Sequence, residues 1–206
     1  MKLAVVILAA GQGTRMKSDL PKVLHPLLGR PLIAYAVETA QALADLKPVV
    51  VVGYGADKVR EAVGDAALFV EQAEQKGTGH AVLQARPLLE GQSDLVVVTY
   101  ADMPLLGAET LRRLVERQRE KAGPLTILML VHDDPRGFGR VVRDARGAVR
   151  EIVEEAVATP EQLAVRELNA GVYCFAAGWL WSHIDRIPLS MPKREYYLTD
   201  MVGMAV

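Results

Sequence analysis

Leu3-Ala4-Val5-Val6-Ile7-Leu8-Ala9-Ala10-Gly11-Gln12-Gly13-Thr14-Arg15-Met16 is the stretch on which the fold turns. Its apolar run, Leu3–Leu8, is continuous rather than alternating, which suits a parallel strand covered on both faces. The run passes straight into a glycine-rich loop with no cleavage region, so it reads as a buried strand and not as the core of a signal peptide. In open α/β sheets ligands bind at the carboxyl ends of the strands, where this loop begins. Small residues let the backbone approach a ligand closely, and glycine adopts the dihedrals that aim successive N–H groups at phosphate oxygens. A P-loop would need four residues between its glycines, and a dinucleotide fingerprint would need Gly where Met16 stands; neither pattern fits. A tight strand-to-helix turn stays open for Gly-x-Gly by itself. Arg15 adds a planar, bidentate donor set for phosphate, and Lys22 in Leu20-Pro21-Lys22 adds a second cation on a segment stiffened by Pro21. Two cations beside a phosphate cradle suit phosphoryl transfer, which depends on positioning and charge neutralisation.

Outward from this loop, short runs rich in Val, Ile and Leu recur at Val49–Val52, 68–70, 95–99 and Leu125–Val131. Between them, 31–44, 57–63, 78–85 and 109–121 carry apolar residues at three- and four-residue spacing. Such alternation predicts crossover helices on a largely parallel sheet, an α/β/α sandwich. Pro31 is placed in the first turn of its helix, where a missing N–H costs nothing. After about residue 133 the segments shorten (138–143, 148–153 and 167–175), which predicts a smaller, partly antiparallel insertion folded over the first part. The expected organisation is one domain over 1–206, with a nucleotide-binding part at about 1–132 and a sugar-binding part at about 133–206.

Composition narrows the partners. The chain has 206 residues, 50% of them hydrophobic, enough to bury a core. Its 24 positive and 25 negative charges balance to −1, so no global field draws it to nucleic acid or an anionic membrane, and a small molecule is the expected partner. Cys174 is the only cysteine, which suits a reducing, cytoplasmic setting. No apolar stretch approaches the roughly 20 residues that span a bilayer.

Leu8 to Met16 followed by Leu20-Pro21-Lys22-Val23-Leu24 resembles the signature of the sugar-phosphate nucleotidyltransferases. Over the whole chain the resemblance is to the amino-terminal half of the bacterial bifunctional uridyltransferase/acetyltransferases of that family. Its strongest pieces are Ser18-Asp19-Leu20-Pro21-Lys22-Val23-Leu24-His25, Gln72-Ala73-Glu74-Gln75-Lys76-Gly77-Thr78-Gly79-His80-Ala81 and Glu195-Tyr196-Tyr197-Leu198-Thr199-Asp200. The resemblance implies a three-layer, Rossmann-like α/β fold with a mixed sheet. It also implies transfer of UMP from UTP to N-acetylglucosamine 1-phosphate, giving UDP-N-acetylglucosamine, a peptidoglycan precursor, and pyrophosphate. By the same resemblance Leu8, Ala9, Ala10, Gly11 and Gly13 lie along the nucleotide with Tyr100 and Ala101, and Arg15 and Lys22 act on its phosphates. Gln72, Gly77 and Thr78 would read the uracil edge, with Thr78 also placed to cap a helix.

Asp102 falls at the carboxyl edge after the 95–99 strand, and the resemblance assigns it to Mg2+, which commonly takes one or two carboxylates plus substrate phosphates. Gly139 in Arg136-Gly137-Phe138-Gly139-Arg140, with Glu154 and Asn169, matches the family's sugar pocket, and Tyr197 and Thr199 occur in a segment placed near the sugar. Gly139 is expected to leave room for the sugar. Where the family usually has Gly, this chain has Ala101, whose methyl either crowds the nucleotide or is tolerated. Past the position of Val206 the family supplies a second metal-binding residue, an Asn, and a hexapeptide-repeat acetyltransferase half; either this chain is one part of such a protein or it is a shorter relative, and a homo-oligomer is the more expected if that half follows. Two further readings remain: a related transferase using another sugar or base, and a non-catalytic module that binds nucleotide-sugars.

Overall fold

The computed structural model describes every residue except Ala122 and Pro192, and the side chain of Arg15 is also outside the described set. In chain order the elements are β1 (Leu3–Leu8), β2 (Pro26–Leu27), β3 (Arg30–Pro31), α1 (Leu32–Gln41), β4 (Val49–Val52), α2 (Ala56–Val63), β5 (Leu68–Glu71), α3 (Thr78–Leu83) and α4 (Arg86–Leu89). They continue with β6 (Leu95–Tyr100), α5 (Ala108–Glu120), β7 (Leu125–Val131), β8 (Arg140–Arg143), β9 (Val149–Val153), α6 (Pro160–Leu163), β10 (Glu167–Ala176), α7 (Ala177–His183) and α8 (Asp200–Met204). The strands expected from continuous apolar runs are all present. Helix boundaries differ from expectation: α1 ends at Gln41 and not at 44, and α2 and α5 each begin one residue early. Pro31 is extended (φ −63°, ψ 145°) and pairs with Pro26 in the β2–β3 hairpin, so α1 starts one residue later. The helix expected over 78–85 is interrupted at Gln84 and Ala85 before α4 begins.

β5, β4, β1 and β6 lie side by side and parallel, and β10 joins β6 in the antiparallel sense. β7 runs along the other edge of β10, while β8, paired with β9, meets β10 at Leu168. The segments after residue 133 are therefore not laid over the first part: β10 carries them into the same sheet. Its pairing shifts between Asn169 and Val172, where it leaves β6 for β8. This irregularity lies beside the carboxyl end of β6.

Strand periodicity builds two cores, because successive side chains point to opposite faces. Ala4, Val6 and Leu8 face one core with Val96, Val98 and the buried side of α3, α4, α7 and α8. Leu3, Val5 and Ile7 face the other, with Ile33, Val37, Val59, Leu111 and Leu114 from α1, α2 and α5. The three expected layers follow. In the first core Tyr173 stacks on Phe175 at 5.7 Å between ring centroids, and Phe175 on Trp179 at 6.4 Å. Cys174 is fully buried, and burial pushes its thiol up to about 12, which keeps it inert. No helix among the described residues is long and apolar enough to cross a membrane.

Gly171 sits at the β10 irregularity with φ +77°, and a Cβ placed there would lie 2.8 Å from the Tyr100 ring. Gly171→Ala is expected to destabilise the protein by about 1–3 kcal/mol through this clash and the left-handed backbone. Chemical denaturation of the purified variant checks this, and unchanged stability would show that Tyr100 yields freely.

Candidate active site

Winding reverses at β1. From β1 the chain crosses to β4 through α1 on one face, and it returns from β5 to β6, on the other side of β1, through α3 and α4 on the opposite face. Such a reversal leaves a crevice at the strand ends. A cavity of about 230 Å³ occupies it, lined by Leu8, Gly11, Gln72, Gly77, Thr78, Tyr100 and Tyr197 among the expected residues, and by Gln75, Ala81 and Glu195.

Register decides which loop atoms reach this cavity. Leu8 and Ala10 share the α3 side, whereas Ala9 and Ala101 turn their methyl groups into the other core. Ala101 is 0% exposed, so its methyl does not crowd the cavity. The Ala9 N–H is spent on the Val51 carbonyl (2.9 Å), and the Ala10 carbonyl accepts from Gln75 Nε2 (2.8 Å) and from the Tyr54 N–H (3.2 Å). Gly11 has open space where a Cβ would stand. Gly13 is left-handed (φ +63°), and a Cβ there would lie 2.5 Å from Lys22 Cβ, so this glycine lets the loop fold onto Lys22.

Lys22 Nζ and Asp102 form an ion pair, with side chains 37% and 28% exposed. The cation expected on phosphate and the carboxylate expected on metal thus meet each other, Lys22 against Gly13 and Asp102 two residues past Tyr100, although neither lines the cavity itself. Among the described residues no cluster of three His, Cys, Asp or Glu side chains could enclose a metal ion. A single partly exposed carboxylate suits a hard divalent cation that takes its remaining ligands from substrate oxygens and water.

Gln72 is buried, and its Nε2 donates to the Gly77 carbonyl (2.9 Å) and lies 3.0 Å from His80 Nδ1. Burial lowers the His80 pKa, and nearby Lys76 adds to the effect, keeping the ring neutral. Gly77 itself precedes the first turn of α3, and Thr78 is not its cap: the Thr78 hydroxyl accepts from the Leu198 N–H at 2.9 Å.

Gly139, Glu154, Asn169 and Thr199 do not line that cavity; Thr199 Oγ1 donates to Glu154 Oε1 (3.1 Å). Asn169 Nδ2 donates to the Tyr173 hydroxyl (2.7 Å) and its Oδ1 accepts from the Gly171 N–H (2.9 Å). A Cβ at Gly139 would stand 3.0 Å from Ile152 Cγ2 and 3.6 Å from Asn169 Cβ, so its missing side chain is accounted for by β9 and β10 packing. Tyr100 is pushed up by burial and by the charges of Glu154 and Asp102, and Tyr197 is pushed up to about 12 by burial and then Glu195. Both phenols stay protonated and able to donate at neutral pH. The Arg15 side chain is outside the described residues.

Gln75, Glu195 and Asp200 have no role in the sequence reading, although each falls inside a quoted motif. Asp200 Oδ2 is buried with no hydrogen-bond partner among the described residues. Burial, then the nearby Glu154, raises the Asp200 pKa above its ordinary value. The folded state therefore holds this proton more tightly than the unfolded chain. Stability associated with the group is greatest below the usual carboxylate pKa of about 4 and is lost as pH rises through the folded value. The melting temperature of Asp200→Asn relative to the unaltered protein should accordingly climb as pH rises above about 4 and level off once pH passes the folded value. A difference that stays level across that range would show no such burden.

The model of the MobA-like NTP transferase domain matches residues 5–186. The chain is 50% identical over 201 residues to the bifunctional protein GlmU of Solibacter usitatus, covering 97% of this chain and 43% of that protein. It is 48% identical over 206 residues to the bifunctional protein GlmU of Pelotomaculum thermopropionicum, covering 100% of this chain and 45% of the relative. The chain thus spans less than half the length of these relatives. Among solved structures it resembles UDP-glucose pyrophosphorylase complexed with UDP-glucose (TM-score 0.73, 18% identity, 99% of this chain and 86% of the other). It also resembles CMP:2-keto-3-deoxy-manno-octonic acid synthetase complexed with CTP (TM-score 0.71, 21% identity, 99% and 86%). At such identities the likeness is one of fold, and it bears out the expected mixed-sheet α/β architecture. Because the family model takes in the glycine-rich loop, Lys22, Asp102 and the strands that flank them, the chain belongs to the MobA-like NTP transferase domain family.

Proposed function

We propose that this chain transfers UMP from UTP to N-acetylglucosamine 1-phosphate, releasing pyrophosphate and forming UDP-N-acetylglucosamine. The observation that carries the reading is the Lys22–Asp102 pair, with Lys22 packed against Gly13 of the same glycine loop whose Gly11 lines a cleft with Gln72, Gly77 and Tyr197. The similarity to bifunctional GlmU proteins over the whole chain supports it.

In this reading a phosphate oxygen of the sugar 1-phosphate forms a bond to the α-phosphorus of UTP while the bond to the pyrophosphate oxygen breaks in line. Sugar phosphate is already ionised at neutral pH, so the protein need not remove a proton, and alignment and charge neutralisation remain its task. Leu8 and Gly11 line the nucleotide, and the Gln72 side chain with the backbone of Gly77 and Thr78 meets its base, while Ala9, Ala10, Gly13 and Ala101 shape the loop and its support. Lys22 and Arg15 act on the phosphates, and Asp102, released from Lys22, would hold Mg2+. Bound there, Mg2+ would neutralise charge on the reacting phosphates. Glu154, Asn169, Tyr197 and Thr199 hold the sugar, with Gly139 supporting Asn169. The reading sets the reaction in the cytoplasm, with neither nucleic acid nor membrane as partner, and includes a homo-oligomer where an acetyltransferase half follows.

Pyrophosphate release across a grid of nucleoside triphosphates and sugar 1-phosphates, with and without Mg2+, tests this assignment. UTP with N-acetylglucosamine 1-phosphate should give the highest kcat/KM. Equal rates with glucose 1-phosphate would overturn the sugar and leave the transferase chemistry standing. Asn169→Ala should narrow the preference, since a polar group left unpaired by the wrong sugar costs about 1–3 kcal/mol.

Asp102→Asn is expected to lower kcat by at least about a hundredfold at limiting Mg2+, because a neutral amide holds the cation weakly where charge develops. A variant of near-normal turnover under those conditions would remove Asp102 from the cation site.

A further inference from the structure

We propose that the Thr78 hydroxyl is a positioning group that couples the nucleotide and sugar ends of the cleft. The proposal rests on the reading above for the identity of the two ligands. Segments 76–79 and 196–198, far apart in sequence, are clasped by three hydrogen bonds. The Tyr196 N–H donates to the Lys76 carbonyl (2.8 Å), the Gly79 N–H donates to the Tyr196 carbonyl (2.8 Å), and the Leu198 N–H donates to Thr78 Oγ1 (2.9 Å). The approach requires glycine at 77: its φ is +94°, and a Cβ there would stand 2.7 Å from the Tyr196 carbonyl oxygen and 2.8 Å from its nitrogen.

Only one of the three bonds uses a side chain, and it connects two recognition regions. On the base side, Gln72 Nε2 holds the Gly77 carbonyl. On the sugar side, Leu198 and Thr199 are 1% and 5% exposed, and Thr199 Oγ1 holds Glu154. A continuous path of covalent and hydrogen bonds thus runs from Gln72 through Gly77, Thr78, Leu198 and Thr199 to Glu154. A nucleotide that orders Gly77 and Thr78 also orders the segment bearing Tyr197 and Thr199, and by linkage the sugar phosphate returns the same coupling.

The test uses the purified chain, its Thr78→Ser variant, which keeps the acceptor, and Thr78→Val, which keeps the shape but strands the Leu198 N–H. UTP with Mg2+ should slow amide exchange at 196–199 by about fivefold or more in the unaltered protein and in Thr78→Ser, and should not do so in Thr78→Val. At saturating UTP, Thr78→Val should raise the KM for N-acetylglucosamine 1-phosphate about tenfold, more than it raises the KM for UTP, and Thr78→Ser should restore the ratio. A UTP KM that rises as much as the sugar-phosphate KM, or no UTP-dependent protection of 196–199 in the unaltered protein, overturns the coupling. Should Thr78→Val fail to fold, the protection measured in the unaltered protein still decides. Absence of turnover in the unaltered protein, with protection present, would sink the assigned reaction and leave the coupling intact.

Discussion

β1 is hemmed in on every side, with β4 and β6 on its edges and an apolar core against each face. Buried backbone groups must be paired, and those of β1 are met by β6 from Leu3 to Leu8, by β4 from Val6 to Leu8 and by Asp45 at Leu3. The chain can therefore turn and open only past Leu8. Everything chemical in the cleft hangs on that exit: the loop must be small enough to pass beneath Gln75 and flexible enough at Gly13 to lie against Lys22. The Asp102 side chain reaches the same place because β6 runs parallel to β1 and in register with it, Tyr100 opposite Leu8.

A different physical logic governs the two charges at the rim. An ion pair that is about one-third exposed contributes on the order of 0–1 kcal/mol to stability, since water screens it and both side chains lose rotamer freedom. Lys22 and Asp102 are thus held near one another at little energetic depth, and either can take a stronger partner. That suits a site whose ligands carry several negative charges with their own cation. The deeply set groups behave in the opposite way. Tyr100, Tyr173 and Asp200 are shifted toward their neutral forms by burial and by the charge of Glu154, so these groups hold their protons more tightly where the rim pair keeps its charges.

Much of this was legible in the residues alone. Short Val, Ile and Leu runs punctuated by Gly and Pro favour strands, and the strands fall where the runs do; β1, β4 and β6 are covered on both faces as expected, whereas β5 and β7 are partly exposed and β7 runs antiparallel to β10. The glycine loop, Lys22 and Asp102 were legible because phosphate chemistry restricts the residue types that can serve it. Pro31 shows where local rules stop. Proline is equally at home before a helix and in its first turn, and the pairing of Pro31 with Pro26 made the choice.

Side-chain direction was decided by the tertiary structure. Ala101 and Gly139 were expected to bear on ligand space, yet register sends the methyl of one into the core, and Ile152 stands where a side chain of the other would go. Thr78 looked like a helix cap until the 196–198 segment arrived beside it. Gln75, Glu195 and Asp200 stand among equally polar neighbours, and composition cannot say which of several adjacent polar residues faces a cleft. The sequence by itself determined the strands, the layers and the chemical character of the loop, because those follow from the period and polarity of nearby residues. Which atoms meet across the cleft depended on strand register and on contacts between residues as far apart as 78 and 198, and such distances are set only when the whole sheet has closed.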